Sequence, residues 1–289
     1  MKRIAIFAHY SKDNIIEDYV IYLIKELKKV VDKIIFISDS NIDEKNINKI
    51  KDYIYYYNCA PHGEYDFGSY KKGFYWAKEN NLLSDCEELI FINDSCYGPL
   101  YPFEETFEQM SYKPVDFWGI TKNYINIKPH IQSYFLVFKP QVFNSKIFND
   151  FINSIKHEEE KIDIVEKYEI GLTQLLNNNG FRYDVLSELS KKEDNVYLTK
   201  AKELIITEKI PLLKRCILLR REIKYILPWG YRKIINKYTQ YPYKLIKKDV
   251  KRNKLKIKLS NLLLAMRKYI IKFHPKERRI AILNNWYEY

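Results

Sequence analysis

Three short, uninterrupted apolar runs, each closing on polar or acidic residues, constrain this chain more than any other feature. They are Ile4-Ala5-Ile6-Phe7-Ala8, Ile34-Ile35-Phe36-Ile37 and Leu89-Ile90-Phe91-Ile92. Such runs are too short for buried helices and lack the polar alternation of a half-exposed strand. They fit strands covered on both faces, as in a parallel sheet. Between the first two, Ile16, Tyr19, Val20, Leu23, Ile24, Leu27 and Val31 fall on one stripe at helical spacing, which predicts a helix over 15–31. Strand, helix and strand make a βαβ unit, whose ligand sites lie beyond the carboxyl ends of the strands. The pattern continues with predicted strands over 52–57, 88–92, 133–138 and 183–186. Predicted helices run over 69–80, 103–110, 144–155 and 169–178, the last closing at Gly180. The expected class is α/β with a predominantly parallel sheet.

Composition narrows this further. The chain has 289 residues, enough for one large domain or a domain with an appendage. Its net charge of +12 is unevenly spread: residues 207–279 hold 23 Lys and Arg against 4 Asp and Glu, a local +19, and residues 1–206 carry −6. An acidic domain over 1–206 followed by a basic helical region over 207–289 is therefore expected. The cysteines Cys59, Cys86, Cys96 and Cys216 form no C-x-x-C pair, so neither a disulfide framework nor a zinc site is expected, and a reducing compartment is. The first residues do not read as a signal peptide, and no apolar run approaches 18 residues; a cytoplasmic chain is expected. No G-x-G-x-x-G follows the first strand, and no P-loop, G-x-S-x-G or H-E-x-x-H occurs, which speaks against dinucleotide, ATPase, hydrolase and zinc-protease chemistry.

The candidate chemistry sits where strands end. Asn93-Asp94-Ser95 follows the 88–92 strand and precedes a Gly-Pro turn, so it offers one carboxylate, Asp94, at the open end of the sheet. A divalent Mg2+ or Mn2+ held there would neutralise a diphosphate; an Asx turn at the strand end fits the same residues. Upstream, Tyr65-Asp66-Phe67-Gly68-Ser69-Tyr70-Lys71-Lys72-Gly73 reads as a Gly turn entering a helix, with Ser69 as N-cap and Lys71 or Lys72 set to face an anion. An ordinary strand–turn–helix connection with solvated lysines fits it as well.

These stretches occur in order with Asp116-Phe117-Trp118-Gly119-Ile120-Thr121 and His130-Ile131-Gln132-Ser133-Tyr134-Phe135. Together they resemble the rhamnan synthesis F family of bacterial glycosyltransferases over about residues 3–190. The resemblance implies a GT-A-like nucleotide-sugar fold and transfer of a sugar, usually L-rhamnose from dTDP-rhamnose, to a cell-surface polysaccharide or lipid-linked glycan. By the same logic His9, Tyr10, Asp39, Asp66, Ser69, Lys72, Asn93, Asp94 and Ser95 would bind the donor, with Asp94 on the diphosphate directly or through a metal. Trp118, His130, Gln132 and Ser133 would face the sugar or the acceptor, although a Trp beside a strand also suits the core. Glu169 opens the predicted 169–178 helix, as the base does in family-2-like enzymes, and Asp116 is the second choice. Glu169 suits equally a first-turn acid complementing the helix dipole.

The basic region mixes Ile, Leu and Tyr with Lys and Arg at near-helical spacing over 212–225, 231–238 and 243–273. Basic amphipathic helices suit an anionic membrane surface, which predicts a peripheral protein at the inner face of the cell membrane. A helical lid or dimer surface is the alternative. Nucleic acid is not expected, since no binding motif occurs and the acidic domain would repel phosphate. A non-catalytic scaffold that has lost its carboxylates also remains open, because Asp94 is the single acid of its motif.

Overall fold

A computed structural model describes residues 1–125, 128–192, 195–219 and 230–253. Seven strands form the central sheet: β1 (Arg3–His9), β2 (Lys33–Ser38), β3 (Tyr56–Cys59), β4 (Glu88–Asn93), β6 (Phe117–Gly119), β9 (Phe135–Phe138) and β10 (Tyr183–Val185). Two small antiparallel pairs lie outside it, β5 (Cys96–Tyr97) with β11 (Leu213–Lys214) and β7 (Lys122–Ile125) with β8 (Lys128–Ile131). The central order is β10-β6-β9-β4-β1-β2-β3. All neighbours are parallel except β9, which runs against both β4 and β6. The α/β class with a mostly parallel sheet holds. The expected 133–138 strand starts two residues later, and its reversal was not foreseen.

The apolar runs behave as their burial requires. Odd and even residues of β1 feed opposite layers: Ala5 and Phe7 pack under the Asp18–Leu27 and Phe103–Ser111 helices, and Ile4, Ile6 and Ala8 under Tyr65–Glu79. Gly73 lets that last helix lie close on the sheet, because a Cβ there would come within 2.4 Å of the Ile6 side chain. The 52–57 strand is displaced to Tyr56–Cys59, since Lys51–Tyr53 closes into a 3-10 turn.

Packing does not stop at residue 206. Ile210, Leu212, Leu213, Ile217, Tyr231, Ile235, Tyr241 and Ile246 join the core layer of Phe7, Phe36 and Phe135. Leu100 N–H donates to the Pro211 carbonyl at 2.7 Å, and Gly98 is required beside it: a Cβ would meet that carbonyl at 2.6 Å. The sequence beyond residue 253, including most of the expected 243–273 helix, lies outside the described residues, as does 220–225 of the 212–225 helix. Among the described residues, no helix is long and apolar enough to cross a membrane.

Candidate active site at the carboxyl edge of the sheet

The register decides which residues can meet. His9 stands level with Ser38, Ala8 with Asn93, and Ile92 with Phe135, so β1, β2 and β4 end at the edge where β9 begins. That edge gathers His9, Tyr10, Asp39, Asn93, Asp94, Ser95, Gln132 and Ser133. Asp116 is at the other edge. It precedes β6, which runs parallel to β4, and it accepts from the Arg182 N–H at 2.7 Å and from Gln141 at 2.8 Å. The structure thus removes Asp116 from the group of candidates; a motif beside a short strand does not tell which end of the sheet it occupies.

Asn93 and Ser95 realise the Asx turn. Asn93 Oδ1 accepts from the Ser95 N–H at 3.1 Å and from Ser95 Oγ at 2.6 Å, while its amide donates to Asp66 Oδ2 at 2.7 Å. Two carboxylates are thereby brought to one place. Burial, reinforced by the neighbouring charge of Asp94, raises the Asp66 carboxyl to about 7. Burial also pushes Asp94 upward, opposed by His9, Arg215 and the Tyr10 N–H, which donates to its Oδ2 at 3.2 Å. The Tyr10 ring itself is exposed at the mouth of the site.

His9 is completely buried. Its Nδ1 lies 2.9 Å from Ser38 Oγ, and its Nε2 faces Glu17 Oε2 at 3.7 Å and Asp94 Oδ2 at 3.8 Å. Neither that Nε2 nor Glu17 Oε2 has a hydrogen-bond partner. Glu17 is a member of the site that the sequence reading passed over, because it lies in the helical stripe's flank, in no motif.

Glu169 is placed by an irregular helix. The helix does not open there: Lys161–Ile164 is α-helical, Val165–Ile170 winds as a π-helix, and Gly171–Asn178 returns to α. Wide turns of this kind recur at functional sites because they aim a side chain off the regular stripe. The reading of Glu169 as a first-turn dipole acid is therefore overturned. Its Oε2 accepts from Ser133 Oγ at 2.5 Å and the Ser133 N–H at 3.3 Å, and its Oε1 lies 3.5 Å from His130 Nε2. Burial works to raise its carboxyl, but His130, the positive charge of Lys214 and Ser133 outweigh it and hold Glu169 at about 2. Gln132 accepts from Thr121 Oγ1 at 2.8 Å, and the buried Tyr134 hydroxyl lies 2.8 Å from the same Thr121 oxygen.

Several expected contributors do other work. Ser69 is not an N-cap, since its helix begins at Tyr65; it is buried mid-helix, 3.0 Å from His62 Nε2. Asp39 accepts from the backbone N–H groups of His62 and Gly63 and so holds the loop entering that helix. Lys72 pairs with Glu64 at 3.2 Å and lines a groove beside Tyr56 and Trp76 at the β3 edge. Trp118 is a core residue, packed edge-on against Phe107.

Asn93 Oδ1 already takes two donors and Asp66 is bound to the Asn93 amide; His9 approaches Glu17 and Asp94 at 3.7 and 3.8 Å, but among the described residues no three His, Cys, Asp or Glu side chains are set as a metal-binding group. Cations instead arrive from the basic region. Arg215 is clasped by Asp249 at 3.0 Å and lies over the Tyr19 ring, whose hydroxyl donates to the Asp94 carbonyl at 3.0 Å. Arg252 donates to Glu17 at 2.9 Å and also pairs with Asp13, and Lys248 pairs with Asp18.

The protein-family model of rhamnan synthesis protein F matches residues 34–288. The chain belongs to that family. Within it, the Tyr65–Gly73 and Asn93–Pro99 segments meet where the Asn93 amide donates to Asp66, and the sheet that holds them has a single reversed strand. Virulence protein VirA of Vibrio anguillarum is 34% identical over 131 residues, covering 44% of this chain and 40% of that protein. The uncharacterized protein y4gN of Sinorhizobium fredii is 24% identical over 193 residues, covering 66% and 49%. The chain thus spans less than half the length of these relatives. Among solved structures, S. aureus TarS 1-349 is similar at 14% identity and a TM-score of 0.43, over 65% of this chain and 58% of that one. Core-mannan synthase A from Aspergillus fumigatus, in a Mn/GDP form, is similar at 10% identity and a TM-score of 0.39, over 61% and 69%.

Proposed function

We propose that this member of the rhamnan synthesis protein F family is a glycosyltransferase. It moves a sugar from a nucleotide-sugar donor to a growing surface polysaccharide or lipid-linked glycan, and the sugar is L-rhamnose carried by dTDP. The observation that carries the reading is the meeting of Asp66, Asp94 and Glu169 at the carboxyl edge of β1, β2 and β4, where nucleotides bind in open α/β sheets.

In this reading the reaction is an inverting single displacement. Glu169 accepts the proton of the acceptor hydroxyl as that oxygen attacks the anomeric carbon. The bond from that carbon to the diphosphate breaks on the opposite face, and the nucleoside diphosphate leaves. Ser133 and His130 hold the Glu169 carboxylate in position, and His130 and Gln132 line the sugar side. The exposed Tyr10 ring stacks on the base, and His9, Asp39, Asn93 and Ser95 shape the pocket around it. Asp66 bonds a donor hydroxyl, and the Asp94 turn faces the diphosphate.

The basic region beyond residue 206 is proposed to hold the enzyme at an anionic membrane surface, where a lipid-linked acceptor is found. The described part of that region pairs with Asp13, Glu17 and Asp18, which leaves the surface role to the residues that follow.

The test is a thermal-shift screen of the full chain against dTDP-, UDP- and GDP-sugars, each with and without Mn2+. Stabilisation by one nucleotide class, greatest with dTDP-rhamnose, is expected. A chain that none of them stabilises is not a nucleotide-sugar transferase.

A further inference from the structure

Departure of a diphosphate needs positive charge close to its oxygens, and the carboxylates of this site supply none. The chain brings two cationic residues, Lys214 and Arg215, to the Asn93-Asp94-Ser95 turn. β11 pairs antiparallel with β5, setting Lys214 opposite Cys96, two residues past Asp94. The next residue extends the zipper, as the Arg215 N–H donates to the Ser95 carbonyl at 2.9 Å. Residues 214 and 215 are thereby fixed to the Asn93-Asp94-Ser95 turn by backbone bonds, although they are some 120 residues away in the sequence.

The two cations differ in their partners. Arg215 is committed: Asp249 takes both its Nε and Nη2 donors at 3.0–3.2 Å, and its Cζ lies 4.4 Å from the Tyr19 ring centroid. The Lys214 ammonium has no hydrogen bond and no carboxylate within ion-pair distance among the described residues. Its ammonium lies over the Tyr134 and Tyr197 rings, 5.3 and 6.0 Å from their centroids, on a shelf next to Ser133. Aromatic faces hold a cation while leaving its outer donors open. That shelf is itself rigid: the Tyr134 and Tyr197 hydroxyls lie 2.9 Å apart, and Tyr197 donates to the Leu212 carbonyl at 2.6 Å. Lys214 is part-exposed rather than sealed in the core, and its field reaches Glu169.

We propose that Lys214 is a diphosphate-binding residue, holding the leaving group of the nucleotide sugar beside the Asp94 turn in the position otherwise given to a divalent cation. The inference rests on the nucleotide-sugar reading above and adds a residue to it. Lys214 donates to the diphosphate oxygens before and during cleavage of the glycosidic C–O bond, and the nucleoside diphosphate leaves as the stabilised anion.

The test measures binding of dTDP, UDP and GDP, and of the three matching nucleosides, to the full-length wild type, Lys214→Met and Lys214→Arg by titration calorimetry. For the diphosphate that wild type binds tightest, Lys214→Met is expected to lose at least tenfold in affinity, Lys214→Arg no more than about threefold, and the nucleoside affinity is expected to hold within twofold. If wild type binds a diphosphate and Lys214→Met binds it equally well, Lys214 serves only to keep Glu169 ionised and the proposal is overturned. Equal losses for diphosphate and nucleoside overturn it too, because the lysine then shapes the pocket as a whole. If wild type binds none of the three diphosphates, the transferase reading falls and takes this one with it. Should Lys214→Met not fold, Lys214→Gln is read against the same limits.

Discussion

Replacing Asp66 by Asn tests the electrostatics of the site through stability. A carboxyl displaced from 3.8 to about 7 resists ionisation by about 4 kcal/mol, at about 1.36 kcal/mol for each pH unit. The folded value lies above the unfolded one, so ionisation works against folding. The cost is absent below the unfolded value, grows as pH rises from about 4 to about 7, and is complete above that. At pH 5 it is about 1.6 kcal/mol, and at pH 8.5 it reaches the full amount. The Asn variant removes it while keeping the local bond, since an amide Oδ1 can accept from the Asn93 amide as Asp66 Oδ2 does at 2.7 Å. At about 2–4 °C per kcal/mol for a chain near this size, Asp66→Asn should melt about 8 °C or more above wild type at pH 8.5. At pH 5 the gain should be half of that or less. Scanning calorimetry or intrinsic fluorescence at both pH values is sufficient. An equal gain at both pH values, or none at pH 8.5, refutes the reasoning, because the strain would then not come from an ionised Asp66.

Other predictions follow from the same contacts. Glu169→Gln should cut turnover by about 10²-fold or more while donor affinity stays within about threefold; near-wild-type turnover removes Glu169 as the base. Donor affinity of the wild type should weaken as pH rises through about 7, when Asp66 gains its charge beside an anionic ligand, and Asp66→Asn should flatten that profile. Gly98→Ala should destabilise by about 1–3 kcal/mol through overpacking against Pro211 and Leu212, and urea denaturation reads it directly. Nucleoside diphosphate affinity should persist in EDTA within about threefold, because no metal-binding group of three His, Cys, Asp or Glu side chains occurs among the described residues; a loss greater than tenfold assigns a metal to Asp94.

What could be read from the sequence divides along a physical line. β1, β2 and β4 were legible because burial on both faces forces a continuous apolar run, and the polar residues after each run mark the carboxyl edge. The direction of β9 was not legible, since four buried apolar residues look the same in either sense. Asp116 was drawn in with its motif, although it precedes β6, which runs parallel to β4 and so sets it at the opposite edge. Glu169 was found from its motif, but the π-turn that aims it was not: winding is set by packing and leaves no composition signal. Lys214 and Arg215 were hidden inside a region whose net charge suggested an address on a membrane. Only the pairing of residues 96–97 with 213–214 reveals that this region also reaches the carboxyl edge of the sheet.

In the proposed function the donor binds at the edge of the sheet that carries Asp94, and not at the edge that carries Asp116. Calorimetric titration of the best-binding nucleotide sugar into wild type, Asp94→Ala and Asp116→Asn tests this most directly. A loss of tenfold or more in Asp94→Ala, with Asp116→Asn indistinguishable from wild type, is the predicted result. Unchanged affinity in Asp94→Ala with a loss in Asp116→Asn would contradict it.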